Sequence, residues 1–230
     1  MEIADRTLEL RFEKPAGLTF EAGQYLDLTL LSPPETDAEG NTRSFSICSA
    51  PEDEDLAIAT RLRDSAFKRC FETLQLGAGV QAEGPFGDFT LDENRSRSVI
   101  LLAGGIGVTP FRSMLRQLAH RKDPRRILLF HSNRRPEEAP FLNELGDLSK
   151  RLPNFTYVPT MSQIQASRGP WEGEVGRILP NLILKHLQAP WAGSIFYLAG
   201  SPQMVAELRA LLIDAGVEKD DLRIEEFAGY

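Results

Sequence analysis

The 230-residue sequence has little cysteine, little histidine and no long apolar run, and each shortage removes a class of protein. Cys48 and Cys70 are its only cysteines. Two are too few to ligate an iron–sulfur cluster, and they do not suggest a disulfide scaffold. His120, His131 and His186 stand far apart without metal-ligand spacing, so no metal site is expected. The longest apolar stretch, Val99 to Val108, is interrupted by Gly104, Gly105 and Gly107. It falls well short of the roughly 20 residues that span a bilayer. The opening MEIADRTLEL lacks the cationic-then-apolar pattern of a secretory signal. These absences point to a cytoplasmic chain with no membrane span.

An excess of basic residues is missing too. The net charge is −7 and the isoelectric point is near 5.1, which argues against a nucleic-acid partner. The charge is also uneven. Residues 1–95 carry 9 Lys and Arg against 19 Asp and Glu, whereas residues 96–230 carry 17 against 14. Four of the nine cations in the acidic half crowd into one stretch, Arg61, Arg63, Lys68 and Arg69. Such an island is either an anion site or a solvated helix face.

What is present is a change of period. Leu8, Leu10 and Phe12 alternate with charges, as do Leu26, Leu28 and Leu30 with Asp27 and Thr29. Phe45 and Ile47, then Leu56, Ile58, Thr60 and Leu62, continue the pattern, which half-buried antiparallel strands produce. One helix is expected from Ser65 to Leu76, with Phe67, Phe71 and Leu74 on one face. After Asp92–Ser98, short apolar runs (Val99–Ala103, Ile127–Phe130, Phe155–Val158, Ile195–Leu198) alternate with helical spacings. That grammar predicts a parallel sheet covered by helices. The expected fold is therefore two-domain: an N-terminal antiparallel β-barrel over residues 1–95, then an α/β parallel-sheet domain over residues 96–230.

Three stretches carry chemistry. In Leu101–Pro110 an apolar strand runs into Gly104, Gly105 and Gly107, followed by Thr109 as a helix N-cap and Pro110 as its first residue. This is either a phosphate-binding helix start or a tight turn without a ligand. In Arg43–Ser49 an Arg, an aromatic ring and small hydroxyls alternate along a strand, as in a ligand-facing edge or an ordinary one. In Arg61–Phe67 the basic island meets a helix start capped by Asp64 or Ser65, which suits a pyrophosphate.

Taken in order, Arg43-x-Phe45-Ser46, the Arg63–Ser65 helix start, Gly84-Pro85-Phe86-Gly87 and Gly104-Gly105-x-Gly107-x-Thr109-Pro110 resemble the ferredoxin–NADP(+) reductase family. Tyr197–Met204 and the ending Glu225–Tyr230 extend the likeness over essentially the whole chain. The resemblance implies an FAD-binding barrel, an NAD(P)-binding α/β domain and hydride transfer from NADH or NADPH between them. By the same likeness Arg43 and Arg63, with Asp64 and Ser65, would hold the FAD pyrophosphate. Phe45 would lie against the isoalloxazine, and Ser46 would sit near flavin N5. Gly104, Gly105, Gly107 and Thr109, with Gly200 and Met204, would approach the nicotinamide nucleotide, and Phe227 or Tyr230 would cover the other flavin face. Ala199 stands where relatives usually carry Cys, and Phe45 replaces a more frequent Tyr. Arg134 and Arg135 offer cations to a 2′-phosphate, whereas Gln163 in place of an Arg tilts the preference toward NADH. The implied partner is an external electron acceptor, such as a ferredoxin, a flavodoxin or an oxygenase component. The rival readings are a free-flavin reductase and a non-autonomous electron-transfer or nucleotide-binding subunit.

Overall fold

The computed structural model describes residues 1–187, 191 and 193–227. The chain opens with strands β1 (Glu2–Ala4), β2 (Thr7–Glu13), β3 (Tyr25–Leu30), β4 (Thr42–Ser46) and β5 (Asp55–Arg61). Helix α1 (Ala66–Glu72) and strand β6 (Val80–Phe86) follow. They form two antiparallel three-stranded sheets, β1-β2-β5 and β4-β3-β6, linked by a bridge between Ile47 and Ile58. The alternating apolar side chains of β3, β4 and β5 meet Phe67 and Phe71 of α1 in one core.

Two local expectations give way to tertiary context. On β2 the alternation predicts a polar solvent face, yet Thr7 and Glu9 are 0% and 2% exposed. Leu10 and Phe12 pack on the barrel core, and the opposite face is covered by a helix from later in the chain. The helix expected over 65–76 stops at Glu72. Thr73 Oγ1 donates to the carbonyls of Arg69 and Cys70, and Gly77, at φ +83°, turns the chain back. Leu76 is left fully exposed.

From β7 (Val99–Gly104) the chain winds through α2 (Thr109–Arg121), β8 (Ile127–Asn133), α3 (Leu142–Arg151), β9 (Phe155–Met161) and β10 (Glu174–Val175). It returns through α4 (Pro180–Leu187), β11 (Ile195–Gly200), α5 (Pro202–Asp214) and β12 (Leu222–Glu226). The six-stranded sheet is parallel throughout, in the order β10-β9-β8-β7-β11-β12. Both faces of β7 and β11 are buried, which explains why they read as unbroken apolar runs. Helices α4 and α5 cover one face. Helices α2 and α3 cover the other, whose core continues into the barrel through Cys48, Ala57 and Ala59. Among the described residues no helix is long and apolar enough to cross a membrane.

Candidate active site

Strand order reverses between β7 and β11, and in such sheets the crevice beyond the carboxyl ends at that point is where ligands bind. Gly104 ends β7, and Gly200 ends β11. Gly104 and Gly105 line a cavity of about 880 Å³ together with Ser132–Arg135, Ser162, Ser201 and Met204. A Cβ on Gly104 would come within 2.2 Å of Met204 Sδ, so its missing side chain keeps this crevice open. Gly107 has a different task. A Cβ there would lie 2.4 Å from the Ala199 carbonyl oxygen, so this glycine lets the turn pack on β11.

The expected N-cap role of Thr109 is not what the structure shows. A 3₁₀ turn over Gly105–Val108 runs directly into α2, so Thr109 is already helical. Its hydroxyl donates to the Ile106 carbonyl at 2.9 Å, and the residue is 2% exposed. The turn is braced from beneath by His131, whose Nε2 is 2.9 Å from the Gly105 carbonyl while Nδ1 is 3.0 Å from Tyr157 Oη. Burial pushes this imidazole down to about 4, so it is neutral at pH 7 and Nε2–H donates to Gly105.

A second cavity, of about 710 Å³, opens between the barrel and the end of β12. Arg43, Phe45, Ser46, Arg63, Asp64, Ser65 and Phe227 all line it. Tyr25, Lys68 and Glu225 join them; sequence reasoning placed Lys68 in the basic island and gave Tyr25 and Glu225 no role at a cofactor. Tyr25 faces Ser46 across the β3–β4 pair, and its ring packs on Phe86 at 5.7 Å. Lys68 donates to Thr60 Oγ1 and places Nζ 4.8 Å from the Phe45 ring centroid. Burial, then Arg43 and Arg63, push its ammonium down to about 8. Phe45 presents less of a free face than expected: it is 7% exposed, and its ring stacks on Phe71.

The basic island divides. Arg63 lines both cavities. Arg61 donates to the Glu138 carbonyl at 2.7 Å, and Arg69 turns away to Glu35 and Asp64. Ser65, not Asp64, caps α1, accepting from the Lys68 N–H at 3.3 Å. Phe227 lines the second cavity, and its N–H donates at 3.0 Å to the carbonyl of Gly200, the residue before Ser201 of the first. Tyr230 lies outside the described residues.

This fold recurs in solved structures. The chain superposes on a ferredoxin NADP+ reductase from Neisseria gonorrhoeae, solved with bound FAD and NADP, with a TM-score of 0.78 and 24% identity, covering 96% of this chain and 92% of that one. It has the ferredoxin–NADP(+) reductase fold. The Amycolatopsis cytochrome P450 reductase GcoB shares this fold at a TM-score of 0.82 and 25% identity, over 99% of this chain and 67% of that one. A family model described as an oxidoreductase NAD-binding domain matches residues 101–210. In sequence, the reductase component of phenol 2-monooxygenase from Pseudomonas sp. strain CF600 is 30% identical over 96% of this chain and 60% of that protein. Reductase component 1 of terephthalate 1,2-dioxygenase from Comamonas sp. is 28% identical over 95% and 63%. The chain thus spans about three-fifths of the length of these relatives.

The residues present fit the cofactors that the fold implies. Asp37 seats a carboxylate between Arg43 Nη2 and the Ala66 N–H, each at 3.2 Å, which is an arrangement that suits an anionic phosphate. The second cavity combines three cations with the rings of Tyr25, Phe45 and Phe227, matching a diphosphate joined to a flat aromatic system. The first offers glycine backbone, hydroxyls and guanidinium groups, matching a nucleotide.

Proposed function

We propose that this protein is an FAD-containing oxidoreductase that takes hydride from NADH or NADPH and passes the electrons to an external acceptor. When bound, FAD accepts the hydride and releases two electrons, singly or as a pair. Residues 1–95 hold the flavin in this reading, and residues 96–230 hold the nicotinamide nucleotide. Arg43, Arg63 and Lys68 neutralise the diphosphate, with Ser65 setting the start of α1. Ser46, at the end of β4, offers a hydroxyl to the reacting edge of the ring. Phe227 covers the ring from the β12 side and excludes water until nicotinamide enters. Gly104, Gly105, Gly200 and Met204 shape the crevice from which nicotinamide approaches.

The observation that carries this reading is that the two cavities share Arg63, while Phe227 of the second is hydrogen-bonded to Gly200, the neighbour of Ser201 in the first. Two cofactors seated there would meet without either leaving its own half. An oxygenase component is the favoured acceptor, since reductase components of oxygenases recur among the relatives, with a ferredoxin or flavodoxin as the alternative. The two cysteines are unpaired, which fits a cytoplasmic setting. Anaerobic addition of NADH or NADPH to the purified protein supplied with FAD should bleach the flavin absorbance. Failure to bind FAD, or no bleaching with either nucleotide, overturns the proposal.

A further inference from the structure

Helix α2 grows straight out of the glycine turn, because the 3₁₀ turn over Gly105–Val108 runs into Thr109 without a break. Its first two turns also grip the barrel. Ser113 Oγ donates to the Ser49 carbonyl at 2.6 Å, and Arg112 Nη1 donates to the Cys48 carbonyl at 2.9 Å. One turn further on, Arg116 forms a bidentate pair with Asp53, its Nε and Nη2 each 2.9 Å from a carboxylate oxygen. Asp53 also accepts from the Ala50 N–H at 2.7 Å, which fixes the loop that the helix holds. Residues 112, 113 and 116 can reach one loop together because helical spacing puts them on one face.

The loop they hold is the exit of β4, the strand that ends at Ser46. The Ile47 N–H donates to the Gln24 carbonyl at 2.9 Å, and the Cys48 N–H donates to the Ala57 carbonyl at 2.8 Å. This exit is therefore pinned in the barrel wall on both sides. Ser49 is pinned too, since its Oγ accepts from the Ala57 N–H at 2.9 Å. Ser113 is 0% exposed and Ser49 3%, so water does not compete for the bond between them. A second barrel segment meets the same helix. A Cβ on Gly23 would come within 2.6 Å of the Met114 methyl, so the bare backbone there lets the helix approach. Tyr25, just beyond it, faces Ser46 in the second cavity.

We propose that Ser113 is a positioning residue whose bond to Ser49 sets the gap between the nicotinamide and the flavin edge beside Ser46. This rests on the two-cofactor reading given above. Hydride crosses only a short, aligned gap, and a displacement of about 1 Å can cost on the order of a hundredfold in rate. The glycine turn and Ser46 belong to different halves of the chain, so no bond within either half can hold that gap. The route through Ser113 is short and stiff: the pinned exit of β4, one buried hydrogen bond, and the start of α2.

The test uses Ser113→Ala in the full chain supplied with FAD. Three quantities are compared with the unmodified protein: FAD affinity by fluorescence quenching, 5′-AMP affinity by calorimetry, and the rate of anaerobic bleaching at saturating nucleotide. A fourth is the long-wavelength absorbance that appears when NAD+ or NADP+ stacks on dithionite-reduced flavin. Both affinities should stay within about twofold, while bleaching slows about tenfold and the long-wavelength absorbance weakens. Arg116→Gln, at the partly exposed end of the same contact, should slow bleaching several-fold, and it reads the contact if Ser113→Ala does not fold. Ser149→Ala removes a comparable bond, to the Phe155 carbonyl at 3.0 Å, away from the barrel and should leave the bleaching rate unchanged. An unchanged rate and absorbance in both joint variants, equal slowing in Ser149→Ala, or a loss of affinity that matches the loss of rate overturns the positioning role while the two-cofactor reading stands. No bleaching of the unmodified chain by either nucleotide overturns that reading itself.

Discussion

Arg112 on α2 places Nη1 3.1 Å from Glu9 Oε1 on β2, and the two side chains are 3% and 2% exposed. The guanidinium also reaches Glu144 on α3 at 3.0 Å and the Cys48 carbonyl at 2.9 Å. One buried cation therefore ties the barrel to two helices of the parallel-sheet half, with every neighbour supplying an acceptor. Cys48 stays a thiol beside it, because burial pushes its ionisation up to about 12 despite the nearby Arg112.

Removing one member of that cluster strands the others. Arg112→Met should destabilise the protein by about 3–5 kcal/mol, since it leaves Glu9 buried without its cation. Glu9→Gln should cost less, because the amide still accepts a hydrogen bond from the guanidinium. Urea denaturation of the three proteins measures the order. Equal stability of Arg112→Met and the unmodified chain would remove the cluster as a structural joint.

Lys68 gives a pH signature. Its ammonium titrates near 8 in the folded chain against an ordinary 10.5, so the unfolded chain binds more protons between those values. Stability rises with pH across that window; the penalty is complete below pH 8 and gone above about 10.5. Lys68→Met should thus stabilise the FAD-free protein at pH 7 by about 1–3 kcal/mol, allowing for partial exposure, and have no such effect at pH 11. The same variant should bind FAD more weakly, measured by quenching of flavin fluorescence.

His131 acts at the acid end. Its folded value near 4 lies below the ordinary 6.5, so the stability that the neutral ring contributes is present above pH 6.5 and lost as pH falls toward 4. His131→Gln should flatten thermal stability across pH 4–6.5 relative to the unmodified protein. Tyr157→Phe should leave that slope in place, since the phenol bonds the neutral ring without carrying charge.

The two glycines of the turn should separate stability from binding. Gly107→Ala forces a Cβ against the Ala199 carbonyl and should cost about 1–3 kcal/mol. Gly104→Ala meets the flexible end of Met204, which can swing into the crevice. That variant should fold with little loss yet bind 5′-AMP several-fold more weakly, as titration calorimetry would report.

Much of the fold was legible because it is local. The period-two stretches became antiparallel strands, and the apolar runs after residue 98 became the buried parallel strands they resembled. The glycine turn was recognisable because strand, glycines and helix start are consecutive. Its inner working was not. That Gly107 serves packing while Gly104 serves the crevice depends on Ala199 and Met204, about a hundred residues away. Tyr25 carried no signal for a cofactor, since nothing beside it in the chain marks the cavity it lines with Lys68 of the basic island.

The early shortages behaved in the same divided way. The sequence alone determined that there are two cysteines and three histidines without metal-ligand spacing, because ligand number and spacing are properties of the chain. Only the tertiary structure decided what His131 and Cys48 became: a neutral brace under the glycine turn and a buried thiol beside Arg112. It likewise decided that Glu9, which alternation assigns to solvent, is sealed against α2, and that the Asn133 amide is buried without a hydrogen-bond partner. The physical reason is common to all four. Alternation and spacing record which face of one element a residue occupies, whereas ionisation and hydrogen-bond satisfaction depend on what packs against that face.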